Sequence, residues 1–349
     1  MTPAEARELF PVLERVAYLN AGTFGPLATP TFEAVEGQLR ADFEQGRLGK
    51  EYFERMLQLR VDVRAALAAL VGAEPEQVSL TGSTTDGCNI VLGGLELGPE
   101  DEIVTTAEEH FGLLGPVHAS GARVVVVDPE PEAILAAVTP RTKLLALSQV
   151  LWTSGRVLPV HELRERSGVP ILVDGAQSVG AIPVEARGLD FLTISGQKWL
   201  CGPDSTGALV VADPERLRVA RPSYFSQAGY EPSGSFEPAA GAARFDPGWI
   251  SSASLAGLLT AVGLRPDWAD EHAAELARRC RELLAGRVEV VPGEATLVAF
   301  RADDSAAVVA HLAEADVAVR DIPGTGLVRV SCGWWTNDED IERLVASLA

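Results

Sequence analysis

The chain is short of the residues that announce metal or disulfide chemistry. Its four cysteines, Cys88, Cys201, Cys280 and Cys332, are spread over 349 residues with no CxxC. That excludes a disulfide scaffold and offers no zinc-knuckle spacing. The five histidines, His110, His118, His161, His272 and His311, form no HExxH and no HxH, so no protein-held metal is expected. No apolar run reaches the ~18 to 20 residues that cross a bilayer. The first residues, MTPAEARELF, carry acids where a signal peptide carries bases, and a cytoplasmic location is expected. Positive charge is scarce: 29 Lys and Arg stand against 49 Asp and Glu, a formal net charge of -20. Such a surface repels phosphate backbones and anionic headgroups, which argues against nucleic-acid and membrane partners. Also missing are a GxGxxG after the first strand and any GxxxxGKS or GxxxxGKT, so dinucleotide and P-loop readings lose their physical basis.

What is present is apolar residues, 47% of the chain, enough for a large core. β-rich runs stand at Val78 to Thr81, Asp101 to Thr106, Arg123 to Asp128, Lys143 to Val150, Pro170 to Asp174, Phe191 to Ser195 and Gly207 to Ala212. Several, such as KLLALSQV and PILVD, are apolar on both faces, which requires helices on both sides. The expected fold class is α/β with a mostly parallel sheet of seven strands. Pro214 to Pro247 reads as a long irregular excursion, a functional or interface loop. The tail alternates as β-α-β-β-α, which suits a small C-terminal α+β domain with an antiparallel sheet. The helical Thr31 to Leu70 region is expected to bridge the two. The division predicted is an N-terminal segment 1–30, a large domain 31–252 and a small domain 253–349.

Three segments at strand ends carry the chemistry. Thr81-Gly82-Ser83-Thr84-Thr85-Asp86-Gly87 follows a strand and opens a helix, so its N–H groups and hydroxyls can cup an anion. Read alone, it is equally an ordinary N-cap. Val173-Asp174-Gly175-Ala176-Gln177 puts an acid at the carboxyl end of a buried strand, either a ligand contact or a helix cap. Ile194-Ser195-Gly196-Gln197-Lys198-Trp199 sets a lysine among Gly and aromatic residues, and a desolvated amine has the lowered pKa that a Schiff-base lysine needs. An anion cup, an Asp and a Lys on successive strand ends have one economical use together, pyridoxal 5'-phosphate (PLP).

VDGAQSVGAIPV and TISGQKWLCGPDSTGALVV resemble the active-site stretch of class V aminotransferase-fold enzymes, which are fold type I PLP enzymes. That family includes cysteine desulfurases, cyst(e)ine C-S lyases, kynureninases, isopenicillin N epimerase-like proteins and aminotransferases. The resemblance runs from Tyr18-Leu19-Asn20-Ala21-Gly22 to RVSCGWWTNDEDIERLV. It implies that Lys198 carries the PLP, Asp174 pairs with the pyridine nitrogen and Gln177 contacts the ring hydroxyl. It further implies that Thr84, Thr85 and Ser195 hold the phosphate, with Ser83 and Gln197 in the cofactor-binding set, and that His110 stacks on the ring. Arg320 is then the fork for a substrate carboxylate, with Arg329 as a second grip and Asn20 on the substrate side. A salt bridge is the structural alternative for both arginines, in a chain with carboxylates to spare. A homodimer with the site at the subunit interface is implied too.

Three departures bear on the reaction. Asp321-Ile322-Pro323-Gly324-Thr325-Gly326 has no Cys where desulfurases place a mobile nucleophile, and Cys201 and Cys332 read as small apolar fillers. Gln197 stands directly before the Lys where many relatives have His, and an amide cannot shuttle protons. ARFDPGWISS offers Trp249, Ser251 and Ser252 where a partner Thr usually reaches the phosphate. The segments LSQVLWTSGRVLPV and SGQKWLCGP, with the spacing of Arg320 and Arg329, look most like the C-S lyase branch, so β-elimination on cysteine- or cystine-type substrates is expected, giving pyruvate and ammonia. Transamination shares the same residues and is the alternative. A non-catalytic PLP-binding protein is the third reading.

Overall fold

The doubly apolar runs form one sheet, since strands without a polar face are stable only when both sides are covered. In the computed structural model, which describes residues 1–348, its strands are β1 (Val78–Thr81), β2 (Glu102–Thr106), β3 (Arg123–Val127), β4 (Thr142–Ser148), β5 (Ile171–Asp174), β6 (Phe191–Ser195) and β7 (Gly207–Val211). They lie in the order β1-β7-β6-β5-β4-β2-β3, and β7 alone runs against the rest. Every residue of β1, β2, β5, β6 and β7 is buried, whereas the edge strand β3 exposes Arg123 and Val126. Each strand falls within two residues of its expected run. In the register, Ser148 of β4 faces Asp174 of β5, and Asp174 faces Thr193 of β6. The carboxyl ends of three neighbouring parallel strands therefore open at one side of the sheet, where ligands bind in such folds.

Helices α1 (Thr29–Gln45), α2 (Gly49–Val71), α3 (Thr84–Gly94), α4 (Phe111–Ala119), α5 (Val160–Ser167) and α6 (Ser252–Leu264) surround this sheet. Two expectations need correction. The Thr31 to Leu70 region does not bridge two domains: α1 and α2 pack on α6, and α2 packs on β1. For the same reason α6 sits with the large layer, although the sequence placed the small domain from 253 onward. The small layer's own packing starts with α7 (Ala269–Ala285).

That layer holds β8 (Val290–Val291), β9 (Leu297–Arg301), β10 (Arg320–Ile322) and β11 (Leu327–Ser331) in the antiparallel order β8-β9-β11-β10, with α8 (Ser305–Glu314) and α9 (Asp338–Ala346). The N-terminal segment joins it. Ala17 and Tyr18 pair with Val317 and Ala318, and Arg7 grips Asp340 through two bonds of 2.6 and 2.9 Å. Ala17 and Leu19 are fully buried in the same apolar cluster as Phe300, Val328 and Leu344. Residues 20–25 then cross from the small layer to the sheet, which matters for the site.

Candidate active site

A cavity of about 290 Å3 lies where α3, the ends of β4, β5 and β6, residues 22–24 and the β10-β11 hairpin meet. Of the expected site residues, it brings together Ser83, Thr84, Thr85, His110, Asp174, Gln177, Ser195, Gln197, Lys198, Arg320 and Arg329. Asn20 is not in its wall. The Asn20 Oδ1 instead accepts the Thr23 hydroxyl at 2.8 Å, so Thr23 faces the cavity and Asn20 holds it from behind.

At the start of α3, Ser83 is the N-cap and its Oγ accepts the Asp86 N–H at 3.1 Å. The Gly82 N–H goes to the Asp86 carboxylate at 3.1 Å. The N–H groups of Thr84 and Thr85 find no acceptor among the described residues, and they are the donors that a helix start offers an anion. Across the cavity Ser195 Oγ donates to Gln197 Oε1 at 2.9 Å, so that amide is anchored to the end of β6.

Asp174 is buried at the end of β5. Its Oδ1 accepts the Ala176 N–H at 2.9 Å and the Thr193 hydroxyl at 3.3 Å, and its Oδ2 has no partner among the described residues. Lys198 stands in the turn after β6. Burial pushes its amine down to about 8, against the pull of Asp174 and with help from Arg329 and Arg320. Cys201, three residues on, is buried and its thiol is pushed up by that burial. Cys332 is buried too, its thiol raised by a hydrogen bond with Cys280 and by desolvation. Neither is a poised nucleophile, in keeping with their expected filler roles.

His110 caps α4, its Nδ1 accepting the Gly112 N–H at 3.0 Å, which assigns the neutral ring's proton to Nε2. Burial first, then Lys198, holds the imidazole below its ordinary range despite Asp174. Its ring meets the edge of Trp152 at 5.0 Å. Just before it, the buried Glu109 accepts the Ser148 N–H and Oγ and the Thr106 hydroxyl. Burial raises this carboxyl to about 7. Trp152, Glu109, Thr23 and Ser148 receive no site role from the sequence, although Ser148 and Trp152 lie within LSQVLWTSGRVLPV and Glu109 directly precedes His110. Ser148 had a usable signal all the same, as a third polar residue at a strand end beside Asp174 and Ser195.

The two arginines stand directly opposite each other on β10 and β11, a cross-strand pairing of like charges that costs stability. Among the described residues neither has a carboxylate within 4.0 Å, so the salt-bridge alternative does not hold. Both converge on Thr23 Oγ1, Arg320 from 3.1 Å and Arg329 from 3.2 Å. Arg329 is 1% exposed, donates to the Trp152 carbonyl at 3.1 Å, and leaves its Nε without a partner. Burial and Arg320 push it down to about 10. The strap that brings Thr23 here has no room for side chains at two points. A Cβ on Gly22 would lie 2.9 Å from the Arg329 guanidinium, and one on Gly25 would lie 2.1 Å from the Lys198 carbonyl.

An unengaged carboxylate oxygen, an amine with a lowered pKa and a free helix start in one cavity are the donor set that PLP requires, and the residues fit it. The family model for aminotransferase class V matches residues 33–344. The chain is 30% identical to isopenicillin N epimerase of Streptomyces clavuligerus over 99% of its own length and 97% of the relative's. The cystine C-S lyase C-DES, solved with its reaction product cysteine persulfide, superimposes with a TM-score of 0.90 at 28% identity, covering 97% of this chain and 98% of that one. A C-DES mutant with glycine covalently linked to its PLP cofactor gives a TM-score of 0.89 at 28% identity, over 98% of both chains. The chain thus belongs to the class V aminotransferase family, and it is a PLP-dependent enzyme of the fold type I architecture.

Proposed function

We propose that the enzyme cleaves the Cβ–S bond of a cysteine- or cystine-type amino acid by β-elimination, releasing pyruvate and ammonia once the amino fragment is hydrolysed. One observation carries the reading. The cavity wall carries two arginines, Arg320 and Arg329, the amine of Lys198 and the imidazole of His110, and contains no thiol. Loss of a thiolate from Cβ asks for no more, because a sulfur anion leaves without a strong acid behind it. Persulfide transfer by an enzyme cysteine needs a reachable thiol, which the turn Asp321 to Gly326 does not contain.

Thr84, Thr85 and Ser195 would hold the phosphate, Asp174 Oδ2 the protonated ring nitrogen, Gln177 the ring hydroxyl and His110 one ring face. When bound, PLP supplies the electron sink that makes the substrate's Cα proton acidic. Arg320 binds the substrate α-carboxylate in a two-bond fork, displacing Thr23 as its partner, and Arg329 takes a second anionic oxygen. Lys198, at about 8, has a neutral fraction at physiological pH that takes the Cα proton, and its charged form returns one. Gln197 orients by hydrogen bonding and moves no proton, so Lys198 carries more of this work.

Identity to isopenicillin N epimerase along the whole chain favours a second reading, removal and return of the Cα proton with no bond broken at Cβ. Holoenzyme incubated in D2O with a panel of amino acids and no keto acid separates the two. Elimination gives pyruvate, ammonia and sulfide or persulfide; deuterium at Cα without pyruvate identifies the second.

The same reading makes the enzyme a homodimer. Phe32, Leu39 and Phe43 share one face of α1 and are 57, 55 and 89% exposed, with Leu57 and Val61 of α2 also uncovered. An apolar surface of this extent calls for a partner, and a second copy supplies one by symmetry. A fully active monomer by sedimentation at micromolar concentration would contradict it.

A further inference from the structure

The Gln177 amide is held at both ends by groups whose hydrogen-bond chemistry runs one way. The Trp199 indole can only donate, and it donates to Gln177 Oε1 at 2.9 Å. The Gly22 carbonyl can only accept, and it accepts from Gln177 Nε2 at 2.9 Å. Trp199 is 1% exposed and Gln177 is 6% exposed, so water replaces neither partner. Turning the amide over would set oxygen against oxygen and N–H against N–H. The amide therefore has one allowed polarity, with one N–H of Nε2 committed to Gly22 and the other left for the cavity that Gln177 lines. The arrangement is crowded as well as directional: a Cβ on Gly22 would lie 3.1 Å from Gln177 Oε1.

We propose that Trp199 is a positioning residue whose indole N–H fixes the polarity of the Gln177 amide, so that a donor and never an acceptor faces the ring hydroxyl of PLP. The inference rests on the assignment of Gln177 to that hydroxyl. A donor there favours the ionised form of the ring oxygen, while an amide oxygen would repel it. Without the indole N–H the amide loses the partner that forbids the reversed orientation, and its buried oxygen is left unsatisfied. Trp199 itself need not touch cofactor or substrate.

The test is Trp199→Phe, which keeps an aromatic ring and removes the N–H. In the holoenzyme the pH midpoint of the visible cofactor band should rise by about 0.5 to 1 unit, and PLP should dissociate about 5- to 20-fold more readily, the effect of one lost buried hydrogen bond. The melting temperature of the cofactor-free protein should stay within a few degrees of the parent's. Gln177→Leu should shift both cofactor readouts at least as far, and the double variant should go no further than Gln177→Leu, because Trp199 acts through Gln177. If Gln177→Leu shifts the band and Trp199→Phe leaves it unmoved, the inference falls and the Gln177 assignment stands. If Gln177→Leu changes neither readout, that assignment falls and takes the inference with it. Additive losses in the double variant would assign Trp199 to packing alone and overturn the proposal. Should the Phe variant fail to fold, site-specific benzothienylalanine, which keeps the indole outline and lacks the N–H, replaces it: the same shifts support the proposal, and an unmoved band overturns it.

Discussion

Two arginine pairs, each with one buried and one half-buried member, sit in this molecule and have opposite fates. Arg60 and Arg64 of α2 reach Asp246, at the end of the excursion that begins at Pro214, with bonds of 2.6 Å from Arg60 and 3.0 Å from Arg64. The Asp246 carboxylate is fully buried and also accepts the Ser79 hydroxyl and the Leu80 N–H. The Arg60 guanidinium lies 4.3 Å above the Phe225 ring of that same excursion. Arg329 is buried like Arg60 and Arg320 half-buried like Arg64; the two face each other across two strands and share a threonine hydroxyl. The first pair shares a buried carboxylate supplied by the chain itself and ties a long loop to the sheet. The second is left charged and unsatisfied, a state that only an incoming anion relieves. Burial alone therefore says little about what an arginine is for; the identity of its partner decides.

The sharpest way to break the comparison is to remove the internal partner. Asp246→Ala leaves the buried Arg60 and the half-buried Arg64 without their shared counter-charge and should cost ~3 to 5 kcal/mol of stability in urea unfolding. The fraction that still folds should turn over normally, and a loss of turnover without a loss of stability would join the two sites functionally. Next comes Arg320→Ala. If the second pair waits for substrate, kcat/KM should fall by roughly 30-fold to several thousand-fold, the effect of ~2 to 5 kcal/mol, with stability and the cofactor's visible band unchanged. Arg320→Lys should recover little, since a point charge cannot copy the fork.

Arg329→Met refines the contrast, because it removes a buried charge that has no carboxylate. The cofactor-free protein should become more stable by about 1 kcal/mol while kcat/KM drops, the reverse of the Asp246 result. Lower stability here would mean that Arg329 is paired in a way the geometry does not show. The remaining contrast is in pH. Lys198 is depressed to about 8, so without cofactor its contribution is present above the ordinary lysine pKa and is lost as pH falls through about 8. Glu109 is raised to about 7, so its contribution is present below the ordinary carboxylate pKa and is lost as pH rises through about 7. Unfolding measured across pH on Lys198→Met and Glu109→Gln should erase the high-pH rise and the mid-pH fall respectively. Curves that stay as in the parent would show that burial does not shift these groups.

Much of the frame was legible because its signals are local. RVVVV, KLLALS and FLTIS read as strands from their own composition, and the polar residues Ser148, Asp174 and Ser195 that close three buried parallel runs mark the mouth of the sheet. Lys198 and Asp174 stand out for that reason. The helical stretch at 31–70 was legible as helix but misplaced, because its apolar residues say that a face is covered and not by what. In the structure α6 covers part of it, and Phe43 is left bare. The structure puts Thr23 in the cavity wall with Asn20 behind it, and residues 20–23 carry two short polar side chains of which only the turn geometry says which faces inward.

By itself the sequence determined the strands, the helix starts and the lysine and aspartate at the mouth of the sheet, because periodicity and end residues act over a few positions. It also set arginines within apolar runs, Arg60 and Arg64 in LQLRVDVRAAL and Arg320 and Arg329 in DVAVRDI and GLVRVSC. Which of them found a carboxylate was decided only by tertiary structure. Arg60 and Asp246 are 186 residues apart, and Arg329 and Thr23 are 306 apart. A chain with 49 acidic residues offers a partner to either pair. A charge-assisted hydrogen bond works only within about 3 Å, a distance that no spacing along the chain specifies and that the packing of the small layer against the sheet does.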